Sequence, residues 1–285
     1  MTTQTDFTNL YVMYAGFKAA RGHRRVPEEG RPAIAAEAEQ ALSGGEAILR
    51  GSYSTVGFRA EADLMLWLIG PSADALQDAL VRFGKTRLGQ AVDPWWTSIG
   101  VHREAEFNKA HIPAYLEGTD PKKYLSVYPF VRSLEWYLLD PQERSTMLRE
   151  HGMMAAGYKD VRANTVSAFA LNDFEWLLAF EADELTRIVD LMRDLRGAKA
   201  RAHMREELPF LTGIRKPLEV EVVVAVEDMG ELGKEQPGEL RSGPATSAMS
   251  AQRSSIWPSM MCSSTLWIAA RGRGAIVRSQ AMPSA

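Results

Sequence analysis

Two stretches of this chain repeat one another, and the repetition limits the folds open to it. Residues 62–83, ADLMLWLIGPSADALQDALVRF, align with residues 173–195, DFEWLLAFEADELTRIVDLMRDL. Each begins with a short apolar run that reads as a strand. Each continues with apolar residues at helical spacing, Leu76, Leu80, Val81 and Phe83 in the first and Leu185, Ile188, Val189 and Met192 in the second. The flanking segments match as well. Residues 10–18 and 124–131 read as strands, 33–43 and 141–151 as helices, and 48–58 and 161–170 as further strands. Gly44-Gly45 stops the first helix, and Asp140-Pro141 opens its counterpart. Each half therefore has the order β-α-β-β-α of a ferredoxin-like unit. The expected fold is α+β, with two ferredoxin-like halves whose antiparallel sheets can close on each other. The halves are expected at 8–100 and 122–216, with a linker at 101–121.

From Leu240 to the end there is no Asp, Glu or Lys, and the apolar residues are scattered rather than patterned. The segment 217–285 is therefore expected to be a disordered extension without function. Cys262, the single cysteine, lies in it, which excludes an internal disulfide and a thiolate metal cluster. The net charge of −3 offers no basic field to nucleic acid. No apolar run approaches the roughly 18 residues of a membrane span. The start shows no basic and apolar leader pattern. A cytoplasmic protein is the expectation.

The candidate site lies in YLSVYPFVRSLEWYLLDPQERSTMLREH, residues 124–151. Tyr128 and Arg132 are four positions apart on a strand, so their side chains share one face. Trp136 and Tyr137 follow, and His151 is expected in the last turn of a helix, before Gly152. Of the five histidines, His23, His102 and His203 read as surface residues in charged surroundings, His203 in a helical stretch. His111 stands in the linker, where connections often cross a pocket mouth. No H-E-x-x-H, phosphate loop or G-x-S-x-G appears. One histidine suffices as an axial ligand of haem iron, and nearby tyrosine or tryptophan can yield an electron and a proton. The residues alone leave two readings open, a porphyrin or other aromatic-lined pocket and plain strand packing.

Longer stretches carry a resemblance. EFNKAHIPAYL (106–116), YPFVRSLEWYLLDPQERSTMLREHGM (128–153), VRANTVSAFALNDFEWLLAFEADELTRIVDLMRDLR (161–196) and MREELPFLTG (204–213) resemble the actinobacterial coproheme decarboxylases of the chlorite dismutase-like superfamily. The resemblance covers residues 8–216 and implies the dimeric α+β barrel, usually as a homopentamer, with porphyrin bound by the second half. It implies that iron-coproporphyrin III (coproheme) is both substrate and redox centre. Hydrogen peroxide converts its propionates at positions 2 and 4 to vinyls, giving haem b and carbon dioxide. It also implies transient contact with the coproporphyrin ferrochelatase.

Carried over residue by residue, His151 resembles the proximal iron ligand and Tyr128 the radical tyrosine. His111 resembles the distal base, Arg132 a propionate-binding cation and Trp136 the pocket tryptophan that is an alternative radical site. Chlorite dismutases carry a distal arginine whose position falls near Ala163; Arg162 beside it is expected on the opposite sheet face. That departure disfavours chlorite decomposition. The alternatives are a chlorite dismutase or haem peroxidase of the same superfamily, and a non-catalytic haem-binding protein.

Overall fold

The computed structural model describes residues 10–20, 28–104 and 112–221. His111, His23 and the tail from 222 onward lie outside the described residues. The first half contains β1 (Tyr11–Ala19), α1 (Arg31–Ser43), β2 (Ile48–Ser54), β3 (Leu64–Gly70), α2 (Ala73–Phe83), a short α3 (Arg87–Gln90) and β4 (Val92–Val101). The second contains β5 (Tyr124–Arg132), a one-turn α4 (Leu134–Leu138), α5 (Pro141–Ala155), β6 (Arg162–Ser167), β7 (Trp176–Ala182) and α6 (Leu185–Asp194). It ends with β8 (Met204–Glu206), β9 (Leu211–Arg215) and α7 (Leu218–Glu221). Local chemistry sets the helix starts. The Ser72 hydroxyl accepts from the Ala75 N–H at 3.1 Å to open α2. The Asp140 carboxylate accepts from the Gln142 N–H at 2.8 Å to open α5, with Pro141 in its first turn.

The strand order is β7-β6-β4-β1-β3-β2-β9-β5, and β5 pairs back with β7. Eight antiparallel strands thus form a closed ring, and β8 extends it beside the end of β5. Within the ring, the first half runs β4-β1-β3-β2 and the second β9-β5-β7-β6. Both have the fourth strand beside the first, the third next and the second last, so the two halves are ferredoxin-like, as expected. They meet where the last strand of each pairs with the second strand of the other. These two seams are β4–β6, with Val101 opposite Ser167, and β2–β9, with Tyr53 opposite Arg215.

The seams depend on strands that the sequence reading did not foresee. Pro94 lies in β4, where the register against β1 slips between Gly16 and Phe17. Proline is tolerated at such an irregularity. Each seam also carries a glycine. A Cβ on Gly100 would lie 2.5 Å from Val166 Cγ2, and one on Gly213 would lie 2.9 Å from both Ser54 O and Tyr53 Cβ. The halves approach closely there because those side chains are absent.

Alternation along the strands separates three apolar clusters. Val12, Tyr14, Met65, Trp67, Leu125, Val127, Leu177 and Ala179 point into the ring and fill it from both halves. Met13, Ala15, Phe17, Leu64, Leu66 and Leu68 point outward beneath α1 and α2. Tyr128, Phe130 and Phe180 point outward in the second half, towards Ile188 and Leu191 of α6. Leu218 of α7 is fully buried with the first half's outer cluster.

A buried ion pair links the halves. Glu181 on β7 is fully buried and takes both Arg50 contacts from β2 at 3.2 Å. Its remaining lone pairs accept from the Lys122 N–H at 3.1 Å and from Asn164 Nδ2 at 3.0 Å. Arg50 also lies 4.6 Å from the centre of the Trp67 ring. A buried carboxylate is tolerated when paired and hydrogen-bonded in this way.

Candidate functional site

The outer face of the second half is incompletely filled. A small cavity of about 80 Å³ lies between β5, β7, α5, α6 and the segment 195–207. Phe130, Leu178, Phe180, Met192, Leu195 and Met204 give it apolar walls. Tyr128, Arg132, His151, Arg196, Arg201 and Glu207 supply the polar groups.

Strand β5 sets the floor. Its outward positions Tyr128, Phe130 and Arg132 all line the cavity, in agreement with the shared-face expectation for Tyr128 and Arg132. The Tyr128 hydroxyl donates to Met192 Sδ at 3.8 Å, a weak bond. Burial pushes this phenol above its ordinary range. Glu207 pushes it further, against the opposing pull of Arg196, Arg201 and Arg132. The group is a neutral phenol at physiological pH, so its oxidation must release a proton.

Arg132 is held at both ends. Its N–H donates to Glu175 Oε2 at 2.8 Å and its Nη1 to Ala200 O at 3.1 Å. Burial lowers its pKa from the ordinary value, though a guanidinium remains charged. Its guanidinium carbon lies 4.4 Å from the Trp136 ring centre. Trp136 itself is 5% exposed and packs against His203, with ring centres 5.5 Å apart. It backs Arg132 and is not among the residues lining the cavity. The expected pocket tryptophan is thus placed behind the wall.

His151 faces the cavity from α5, but not from the helix end. The helix continues through Gly152 to Ala155, because a glycine within a helix costs only about 1 kcal/mol. The macrodipole, which acts in the last turn, is therefore weaker at His151 than expected. Burial, and then the charge of Arg132, lower its pKa from the ordinary 6.5. The result is a neutral imidazole, the form that binds a metal. Its Nδ1 is buried without a hydrogen-bond partner. A neutral imidazole on the wall of an apolar, guanidinium-rimmed cavity suits an iron porphyrin with carboxylate side chains. In such a complex the arginines would hold the carboxylates and His151 the iron.

The other histidines are placed differently from the sequence reading. His102 is 8% exposed rather than solvated, and its N–H donates to Leu10 O at 2.9 Å. His203 is half-buried, in a 3-10 turn leading into β8 rather than on an exposed helix, with Nδ1 3.3 Å from Ser133 Oγ. Arg162 points away from the cavity, its Nη1 donating to Asp120 O at 2.7 Å. Three charged residues of the cavity, Arg196, Arg201 and Glu207, were not foreseen. For Arg201 and Glu207 the only sequence signal was the density of charge in RAHMREE, which also suits a solvated surface, and Arg196 lies outside that run. Among the described residues there is no cluster of three or more His, Cys, Asp or Glu able to hold a metal ion by itself. No described helix is long and apolar enough to cross a membrane.

Comparison with known proteins gives a consistent result. A chlorite dismutase family profile matches residues 31–216. A coproheme decarboxylase of Mycolicibacterium smegmatis is 53% identical over 216 residues, 74% of this chain and 92% of the relative. The solved structure of chlorite dismutase from Candidatus Nitrospira defluvii in complex with imidazole is 26% identical. It superposes with a TM-score of 0.66 over 75% of this chain and 93% of that one. A second solved protein with a chlorite dismutase name shares the fold alone, at 21% identity and a TM-score of 0.67, over 75% of this chain and 98% of its own.

Proposed function

Because the chain belongs to the chlorite dismutase family, we propose that its second-half cavity binds coproheme and that the protein oxidatively decarboxylates it to haem b. The observation that carries this reading is the meeting of His151 and Tyr128 in one guanidinium-rimmed cavity. The 53% identity to a coproheme decarboxylase gives the substrate. Coproheme is substrate and redox centre together, and haem b is the product.

Bound, the porphyrin iron supplies the redox chemistry of peroxide reduction, which lies beyond any side chain. His151 would hold the porphyrin iron, kept neutral by burial and by Arg132. Arg132 holds a propionate with Trp136 packed behind it, so that its guanidinium cannot swing away. Tyr128 gives up an electron and its phenol proton. Its oxygen then takes a hydrogen atom from the propionate carbon next to the macrocycle. Carbon dioxide and a second electron leave, and a vinyl remains. For each propionate, one peroxide and one proton are consumed, giving one vinyl, one carbon dioxide and two waters. His111, outside the described residues, is the distal base for the peroxide proton, a role suited to an imidazole. The setting is the cytoplasm. The assembly is a homo-oligomer, a pentamer by family resemblance, in transient contact with the coproporphyrin ferrochelatase that supplies the substrate.

The test is titration of the purified protein with iron-coproporphyrin III and then hydrogen peroxide, with products followed by mass spectrometry. Stepwise loss of two propionate carboxyls is expected. Unchanged or bleached coproheme would overturn the reading. If oxygen evolved from chlorite instead, the second reading would replace it. That reading, chlorite decomposition, is favoured by the family profile and by the fold match to a chlorite dismutase.

A further inference from the structure

Glu207 is out of place in a cavity for a polycarboxylate. It is the one carboxylate among the lining residues, and three arginines line the same space. Its side chain is 12% exposed. Oε2 accepts from Arg196 Nη1 at 2.8 Å, and Oε1 forms an ion pair with Arg201 Nη1. The second contact lacks hydrogen-bond geometry, so Arg201 Nη1 remains a buried donor without a hydrogen-bond partner. Of the charged groups near Tyr128, Glu207 acts on the phenol most strongly, followed by Arg196 and Arg201, and only then Arg132. Glu207 and Tyr128 line the same cavity, so the carboxylate of Glu207 stands in the space that a propionate approaching the phenol must enter. Two cations already face it there.

We propose that Glu207 is a placeholder carboxylate: it occupies Arg196 and Arg201 where a substrate propionate binds beside Tyr128, yields to that propionate, and returns once the propionate has become a vinyl. This rests on the proposed coproheme reaction. The two arginines keep a carboxylate partner before, during and after turnover, so neither is left as an unpaired cation in a partly dry site. The exchange also separates substrate from product. A propionate can compete with Glu207 for the guanidinium groups by charge-assisted hydrogen bonds. A vinyl cannot, so the returning Glu207 favours product release. Glu207 is a positioning and specificity-determining residue in this scheme and takes no part in the bond changes.

The experiment measures equilibrium binding of iron-coproporphyrin III and of haem b to the full chain, without peroxide, by the porphyrin absorption band and by tryptophan fluorescence. Wild type is compared with Glu207→Gln and Glu207→Asp. Glu207→Gln removes the competitor. Affinity for coproheme should rise about tenfold relative to affinity for haem b. Glu207→Asp keeps the charge but withdraws it by one methylene, and should move the same ratio in the same direction by about threefold. Melting temperatures identify a variant that has failed to fold, in which case the other variant decides. A merely structural glutamate would weaken both ligands together and leave the ratio unchanged, and that result overturns the proposal. If wild type binds and decarboxylates coproheme while the ratio stays fixed, this inference fails alone. If wild type binds neither porphyrin, the reaction assigned to the cavity fails with it.

Discussion

The two halves share one plan and put different residues at matching positions. Strand register defines the match. Ala15 lies opposite Leu66 in the first half, and Tyr128 lies opposite Leu178 in the second. Leu178 follows Leu66 by 112 positions, as Ile188 follows Leu76 and Leu195 follows Phe83. The small Ala15, fully buried, lets α1 and α2 come down on the sheet. α1 buries Ile34, Ala35, Ala38 and Leu42, whereas α5 buries no residue at all. Counted from the proline in each first turn, Leu42 and His151 stand at the same place, ten residues on. The first half spends its outer face on packing. The second keeps the frame, replaces an alanine with a tyrosine and a leucine with a histidine, and holds its helix off the sheet. A cavity arises where one copy of a repeat is left unfilled.

The comparison can be tested most severely at Tyr128. Tyr128→Phe should bind coproheme with the wild-type spectrum and form no vinyl groups by mass spectrometry. Normal turnover would remove the distinction between this position and its inert counterpart Ala15. The next effect concerns whether the halves behave as one body. Glu181→Ala strips the partner from buried Arg50 across the interior and should cost about 3–5 kcal/mol. Urea unfolding should remain a single transition at lower denaturant, and two separated transitions would show that the halves fold apart. The Leu42 and His151 positions then divide packing from chemistry. Leu42→Ala should cost about 2–5 kcal/mol and leave porphyrin binding intact. His151→Ala should lose axial ligation in the absorption spectrum with little loss of stability.

His151 adds a smaller effect of pH. Its folded pKa lies below the ordinary 6.5. Below that value the unfolded chain takes up a proton that the folded one resists, so this residue makes stability rise with pH up to about 7. The His151→Ala variant should show a flatter urea midpoint across that range.

Most of the fold was legible, because a strand and helix that bury one face leave a periodic trace. β3 with α2, and β7 with α6, were readable for that reason. β4 and β9 were not. β4 begins VDPWW and tolerates its proline only at a register slip, and β9 is five residues with a glycine at its centre. Both are set by the partner strand across a seam, which no local pattern records. Around the cavity, Tyr128, Arg132 and His151 lie on regular elements, so spacing and resemblance could single them out. Arg196, Arg201 and Glu207 lie in short 3-10 turns and strand ends, where sequence spacing does not fix direction. Trp136 was readable as an aromatic near Arg132, but its side of that arginine was not.

The seams also bear on how the chain reaches this structure. The ring closes only when Val101 meets Ser167 and Tyr53 meets Arg215, pairs separated by long stretches of chain. Either half alone would end in two unpaired strand edges, of the kind that recruit other chains. Such distant pairing is slow, because the loop entropy must be lost before the contacts form. During synthesis the first half emerges with its last strand unmatched until the second half arrives. Closure is thus the late step of folding, and the interval before it is when the nascent protein is most exposed to aggregation.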